Sequence, residues 1–411
     1  YGCVVSDFLY FSYMDLDKPE GYSKEIAEAI LQRYEYSSEA EAQKDDTSEG
    51  AIVPDDILVI MNESWADLSC AGDFETNIPY NEFYTSLTEN TIKGTACVSI
   101  YGGNTPQSEY EFLTGNTISF LPSGAIAYNL YIKKDTPSLV SQLSEQGYEC
   151  IAMHPEKATN FNRNQVYPRL GFLQFLTEDD FTDVVKIREL CSDQSVYDKM
   201  IDLYENKQEG QKLFLYGVTM QNHGGYTYEG EDFTPLVQTV GLNKTYDKVN
   251  QYLTCMRYTD EALENLIGYF SDVDEHVMIV MFGDHHGDVG SDFYEELYGK
   301  KLIDVEGEQY ETRYETPFFI WTNYEIEEKA DEKISLNYLS TLAMQTANIP
   351  LTEYQSFLAE LQSHYPVISA AGIYDAEGNF YTWNNVEESA DYSYMKEYQI
   401  LEYYMLENYK K

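Results

Sequence analysis

Positive charge is what this 411-residue chain has least of: 26 Lys and Arg stand against 71 Asp and Glu, a formal net charge of −45. A surface of that sign repels nucleic acid and bare anionic lipid headgroups. Nucleic acid is therefore not expected as a partner, and an anionic substrate would need a bound cation beside it. The acidic residues are scattered rather than gathered in a tail, as on a solvated acidic face. Long apolar runs are missing as well. None approaches the ~18 residues that span a bilayer, and there is neither an initiator methionine nor a charged–apolar–small leader. The chain is expected to be an extramembrane portion whose membrane segment lies outside it. Cysteine is sparse: Cys3, Cys70, Cys97, Cys150, Cys191 and Cys255 are far apart, with no C-x-x-C pair. Cys97 and Cys150 sit among strand-like neighbours, where buried free thiols are expected.

Apolar residues are not lacking. At 43% of the chain they suffice for a sizeable core, and 39 tyrosines add amphipathic packing surface. Residues 1–50 contain one helical pattern, "SKEIAEAILQRYEY", with Ser23 as candidate cap, followed by the polar "SSEAEAQKDDTSEG", which reads as a linker. Short β-branched and aromatic runs then appear: "ILVIM" (57–61), "CIAM" (150–153), "LFLYGVT" (213–219), "VMIVMF" (277–282) and "FFIW" (318–321). Runs apolar on both faces predict strands buried in a parallel sheet. Helical patterns lie between them, the clearest being "TPSLVSQLSEQGY", with Thr136 as expected cap and Gly147 as stop. Alternating strands and helices predict an α/β, doubly wound, mostly parallel central sheet with helices on both faces. The expected division is a helical linker over 1–50, a catalytic domain over 51–325, and a smaller C-terminal α+β extension over 326–411, packed on that domain and closing one sheet edge.

In such sheets ligands bind beyond the carboxyl ends of the strands. There the sequence places Glu63, His154, Asn222-His223 and Asp284-His285-His286. Four of the six histidines fall in these loops. Asp284-His285, adjacent hard and borderline ligands on a glycine-flanked turn, suits a divalent cation. Thr105 in "YGGNTPQSEYEFLTGN" precedes a proline and a helical pattern, which is a common N-cap. A hydroxyl there also lies among free N–H groups that favour a phosphate, so cap and nucleophile are compatible readings.

The ordered motifs "VIMNES", "GGNTPQSEYEFLTGN", "FLPSG", "MHP…NFNRNQVYPRLGF", "VTMQNHGGY", "FGDHHGD" and "YETPFFIW" resemble the lipoteichoic acid synthase family. These are phosphoglycerol transferases of the alkaline phosphatase/sulfatase superfamily, and the resemblance runs from about residue 55 to 325. It implies a membrane-anchored, monomeric extracellular catalytic portion on a Gram-positive-type cell, with a phosphatidylglycerol-type lipid donor and a hydroxyl acceptor. It implies Thr105 as nucleophile and Glu63, Thr105, Asp284 and His285 as ligands of one divalent cation, Mn2+ first, Mg2+ or Zn2+ otherwise. His223 falls on the position that holds the phosphate or protonates the leaving oxygen. Arg163, His154, Phe161 and Asn222 fall on substrate-binding segments. A formylglycine sulfatase would need C-x-P-x-R or S-x-P-x-R, and neither motif occurs. Open alternatives are a phosphodiesterase or phosphatase using Thr105, a phosphoethanolamine transferase, and a non-catalytic acidic cell-surface module.

Overall fold

The computed structural model describes residues 14–45 and 51–407. Cys3 and the last five residues of the expected linker lie outside them. The other five cysteines are free thiols, and Cys97 and Cys150 are buried as expected.

All five apolar runs form strands of one eight-stranded sheet. Its members are β1 (Asp56–Asn62), β2 (Thr91–Cys97), β3 (Tyr148–Met153), β4 (Gln174–Leu176), β5 (Lys212–Val218), β6 (Val277–Gly283), β7 (Glu315–Thr322) and β8 (Lys329–Ser335). The order across the sheet is β8-β2-β7-β6-β1-β5-β3-β4. The fold is α/β, and the sheet is mostly parallel. The exception is β7, antiparallel to both β6 and β2. "FFIW" was expected to be parallel because it is apolar on both sides. That pattern reports burial on both faces and carries no information about direction.

Helices cover both faces. In β1, Ile57, Val59 and Met61 pack with α1 (Lys24–Asp45), α2 (Pro106–Thr114), α3 (Leu139–Glu145), α4 (Arg163–Leu170), and the later α8 (Leu336–Thr346), α9 (Glu353–His364) and α10 (Tyr392–Glu407). Leu58 and Ile60 point the other way, towards α5 (Asp193–Glu205), α6 (Asp247–Ser271) and α7 (Ser291–Tyr298). The two-residue period of a strand sorts these side chains into two cores. None of the five is more than 1% exposed, and each stabilises the fold by about 1.5–3 kcal/mol.

Two local readings change. Ser138, not Thr136, caps α3: its hydroxyl accepts from Ser141 N at 3.1 Å. Ser138 holds the extended backbone a cap requires, whereas the Thr136 hydroxyl donates to Lys134 O at 3.0 Å. α1 starts as expected, with Ser23 Oγ accepting from Ile26 N at 3.2 Å, but the helix runs on to Asp45, into the segment expected as linker. After residue 325 the chain adds β8 to the sheet edge, lays α8 to α10 over one face, and forms a small antiparallel sheet of β9 (Val367–Ile368), β10 (Ile373–Tyr374) and β11 (Phe380–Tyr381). No helix among the described residues is long and apolar enough to cross a membrane.

Candidate active site

Strand register sets the site. Asn62 pairs with Gly283, Met61 with Val218, and Met153 with Gly217, so β1, β6, β5 and β3 end on one line. Glu63, Asp284 and His154 each follow the last residue of their strand. With neighbouring strands ~4.8 Å apart, their side chains converge without any long excursion of the chain.

Thr105 arrives from elsewhere. It occupies the N-cap position of α2 but makes no capping hydrogen bond; Asn104 O accepts from Gln107 N at 2.9 Å. Its hydroxyl instead donates to Glu63 Oε2 at 3.3 Å. Ser108 Oγ, one turn on, donates to Asp284 O at 2.7 Å and ties the start of the helix to the end of β6. Thr105 thus has the position of a cap and a hydroxyl directed at Glu63.

Glu63, Asp284 and His285 form a buried triad whose ligating atoms all lie within 4.8 Å of one another. His285 Nδ1 is 2.9 Å from His286 O. A carbonyl can only accept, so that nitrogen carries the proton and Nε2 presents a lone pair. Yet Nε2 faces Asp284 Oδ2 at 3.2 Å and Glu63 Oε1 at 3.6 Å. Asp284 Oδ2 and His285 Nε2 are buried with no hydrogen-bond partner. Three electron-rich atoms turned towards one another are unfavourable unless a cation or proton lies between them. Burial, then the Glu63 charge, raise the Asp284 carboxyl to about 7. Burial opposes a charge on His285, but Asp284 and Glu63 outweigh it and raise its pKa. These hard oxygen and imidazole donors, with the Thr105 hydroxyl beside them, fit a divalent ion.

His154 is buried, and its Nδ1 donates to Val218 O at 2.9 Å. Burial and the nearby Arg163 push it down to about 3, so it is neutral with Nε2 as an acceptor. The Arg163 guanidinium spends Nε and Nη2 on Glu109, whose second oxygen accepts from Tyr167 OH at 2.7 Å. Phe161, half-buried at φ +52°, has its ring 5.4 Å from that guanidinium. His223 is exposed on the loop after β5. Asn222, expected at the substrate, is instead wholly buried. Its amide donates to Asn62 Oδ1 and Thr259 Oγ1, both at 2.9 Å, and so braces the loop from within. His286 is also structural: it donates to Glu315 O at 2.7 Å, and burial pushes it down to about 4.

Sequence reasoning missed Ser64, Glu109, Arg188 and Asp193. Ser64 N donates to Asp284 Oδ1 and Ser64 Oγ to Glu63 Oε1, both at 2.7 Å. The only available signals were its place in "NES" and the position of Glu109 one turn after Thr105; Arg188 and Asp193 gave none.

The Sulfatase family model matches residues 55–349. The chain belongs to the Sulfatase family. It is 28% identical over 323 residues, 76% of its length, to a Rhizobium meliloti protein named for cyclic beta-1,2-glucan modification. It is 29% identical over 211 residues, 49% of its length, to the lipoteichoic acid synthase of Staphylococcus aureus. It spans 49% of the first relative and 31% of the second. Its fold matches that of the Streptococcus pyogenes phosphoglycerol transferase GacH, solved with sn-glycerol-1-phosphate, at TM-score 0.74 and 22% identity over 94% of each chain.

Proposed function

We propose that this chain is a metal-dependent head-group phosphotransferase that moves phosphoglycerol from a phosphatidylglycerol-type lipid to a hydroxyl acceptor of the cell envelope. The observation that carries this reading is the Thr105 hydroxyl, unused as a cap and 3.3 Å from Glu63, beside two buried ligand atoms without partners. The names of the relatives support a phosphoglycerol donor and an envelope glycan or polyglycerolphosphate acceptor. A divalent ion held by Glu63, Thr105, Asp284 and His285, Mn2+ first, would supply Lewis acidity and lower the pKa of the Thr105 hydroxyl.

Thr105 Oγ1 attacks phosphorus in line as its proton passes to Glu63 Oε2, the acceptor it already faces, and the P–O bond to diacylglycerol breaks. His223, exposed at the mouth of β5, gives its proton to the departing oxygen. The phosphoglycerol–threonine ester is then opened by the acceptor hydroxyl, whose proton His223 takes back, and as the P–O bond to Thr105 breaks the threonine oxygen recovers its proton from Glu63. The helix N-terminus behind Thr105 favours the phosphate in an otherwise acidic protein, whereas the Arg163 charge is paired with Glu109. Neutral His154, with only an acceptor nitrogen free, suits a glycerol hydroxyl better than a phosphate oxygen. With that donor and acceptor, the reaction would run at the extracellular face of the cell membrane.

The test is to incubate the wild type and Thr105→Ala with a labelled phosphatidylglycerol analogue and Mn2+, following diacylglycerol release and intact mass. The wild type should carry a phosphoglycerol adduct and Thr105→Ala none, with release lowered at least ~10³-fold. Release unaffected by the substitution would sink the nucleophile assignment. Release with water as the sole acceptor would make the enzyme a phosphodiesterase, and no metal-dependent turnover of any phosphodiester would favour a binding module.

A further inference from the structure

The loop that carries His223 is held from one side by a segment to which no role has been given. Lys186–Ile187 and Leu190–Cys191 form a short antiparallel hairpin. Both residues at its tip, Arg188 (φ +53°) and Glu189 (φ +67°), are left-handed although neither is glycine. A two-residue hairpin turn takes positive φ at both positions, which strains residues that carry a side chain.

What the turn achieves is the burial of Arg188, 5% exposed in a protein of strongly negative charge. Its Nη2 donates one hydrogen to Gln221 O at 2.8 Å and the other to His223 O at 3.0 Å. Its guanidinium lies 5.0 Å from the centre of the Tyr226 ring, and Tyr226 OH donates to the carbonyl between those two, Asn222 O, at 2.6 Å. Three successive carbonyls are thus fixed. Two residues after the hairpin, Asp193 holds the side chains behind them. Its Oδ2 accepts from Asn62 at 2.8 Å and Thr259 at 2.7 Å, the same two residues that hold Asn222. The His223 ring is exposed, and the two glycines that follow it are exposed as well. On that side the loop has little to hold it. The direction in which the His223 side chain leaves the loop is therefore set by the backbone that Arg188 grips.

We propose that Arg188 is a positioning residue, which from the tip of the 186–191 hairpin fixes the Gln221–His223 backbone and so aims the imidazole at the leaving oxygen. This rests on the reading of His223 as the proton donor. A proton donor matters most where the leaving group is a poor one, and general acid catalysis is worth about 10²–10⁴-fold.

The experiment compares the full chain with Arg188→Met, Arg188→Lys, His223→Ala and Arg188→Met/His223→Ala on two donors. One is a phosphatidylglycerol analogue, whose alkoxide leaves badly; the other is a p-nitrophenyl phosphodiester, whose phenolate leaves without help. Arg188→Met should lose about 10²-fold in kcat on the lipid and less than about threefold on the aryl ester, with KM little changed and no further loss in the double variant. Arg188→Lys, which keeps donors and charge, should regain most of the lipid activity, and it serves as the probe if Arg188→Met does not fold. Equal losses on both donors, or additive losses in the double variant, would overturn the proposal. A second readout needs no turnover: in histidine-labelled, metal-free protein the His223 ring resonance should broaden or shift in Arg188→Met while those of His276 and His364 stay in place. An unchanged His223 resonance would refute the positioning role. Failure of the wild type on both donors would instead count against the proposed function.

Discussion

Ser64 holds a left-handed backbone, φ +52°, between the two carboxylates of the candidate site. Strain at a residue with a side chain is sustained where its surroundings over-determine it, and here its N–H and hydroxyl serve Asp284 and Glu63, at 2.7 Å each. The serine orients both carboxylates but cannot neutralise them. Without a cation the triad is therefore a source of instability, and that gives a sign to test. Asp284→Asn keeps the acceptor for Ser64 N, removes one buried charge and offers a donor to the Glu63 and His285 atoms that face it. In chelator, the variant should melt higher than the wild type by about 2 °C, because a destabilising buried charge is gone. In millimolar Mn2+ the order should reverse, since binding to the native state stabilises only the protein that has the full ligand set. Scanning calorimetry with and without the ion checks both. A variant that melts lower in chelator would show that Asp284 is not destabilising when the ion is absent.

At the scale of elements, the site depends on how closely β6 approaches the turn after β1. A Cβ added at Gly283 would meet Trp65 O at 1.8 Å and Thr316 Cβ at 3.0 Å. The turn bearing Glu63 therefore lies directly against the residue before Asp284, and only glycine allows it. Gly283→Ala should separate the two loops, costing about 3 kcal/mol in a urea titration and weakening Mn2+ binding at least about tenfold by calorimetry. Unchanged stability would mean the turn can shift freely. This also explains how much of the molecule the sequence revealed. The inner strands were legible because burial on both faces leaves an uninterrupted apolar run, and Glu63, Asp284 and His285 were legible because they follow those runs directly. β8, whose first residues are exposed at the sheet edge, reads as "KADEKIS" and gives no apolar signal. The direction of β7 was hidden because burial does not encode it. Asn222 was misplaced because sequence shows that a polar residue sits in a loop, not whether its amide turns inwards. The grip of Arg188 on the same loop depends on a hairpin brought near only by folding.

At the scale of the whole molecule, the last helix is joined to α2 through buried carboxyls. Glu402 of α10 accepts from Tyr110 OH at 3.0 Å and Thr117 N at 2.9 Å, and Glu111 of α2 accepts from Ser99 Oγ at 2.7 Å. Tyr354 and Tyr398 pack around the pair, and among the described residues no cation side chain is recorded as bonding to either carboxyl. Burial raises Glu402 to about 8 and Glu111 to about 7. Below pH ~4.5 both groups are neutral whether the chain is folded or not, so their full contribution to stability is present there. As the pH rises the unfolded chain ionises first, and the folded state loses stability until the buried groups themselves ionise near pH 7 to 8. For Glu402 the loss amounts to about 4 kcal/mol between pH 5 and 9. Glu402→Gln keeps an acceptor for Thr117 N and stays neutral at every pH. Urea denaturation in chelator at pH 5, 7 and 9 should find the two proteins similar at pH 5 and the variant more stable by about 4 kcal/mol at pH 9. Parallel stability curves would mean that Glu402 is not held neutral, and that the last helix does not fasten onto α2 through a protonated carboxyl.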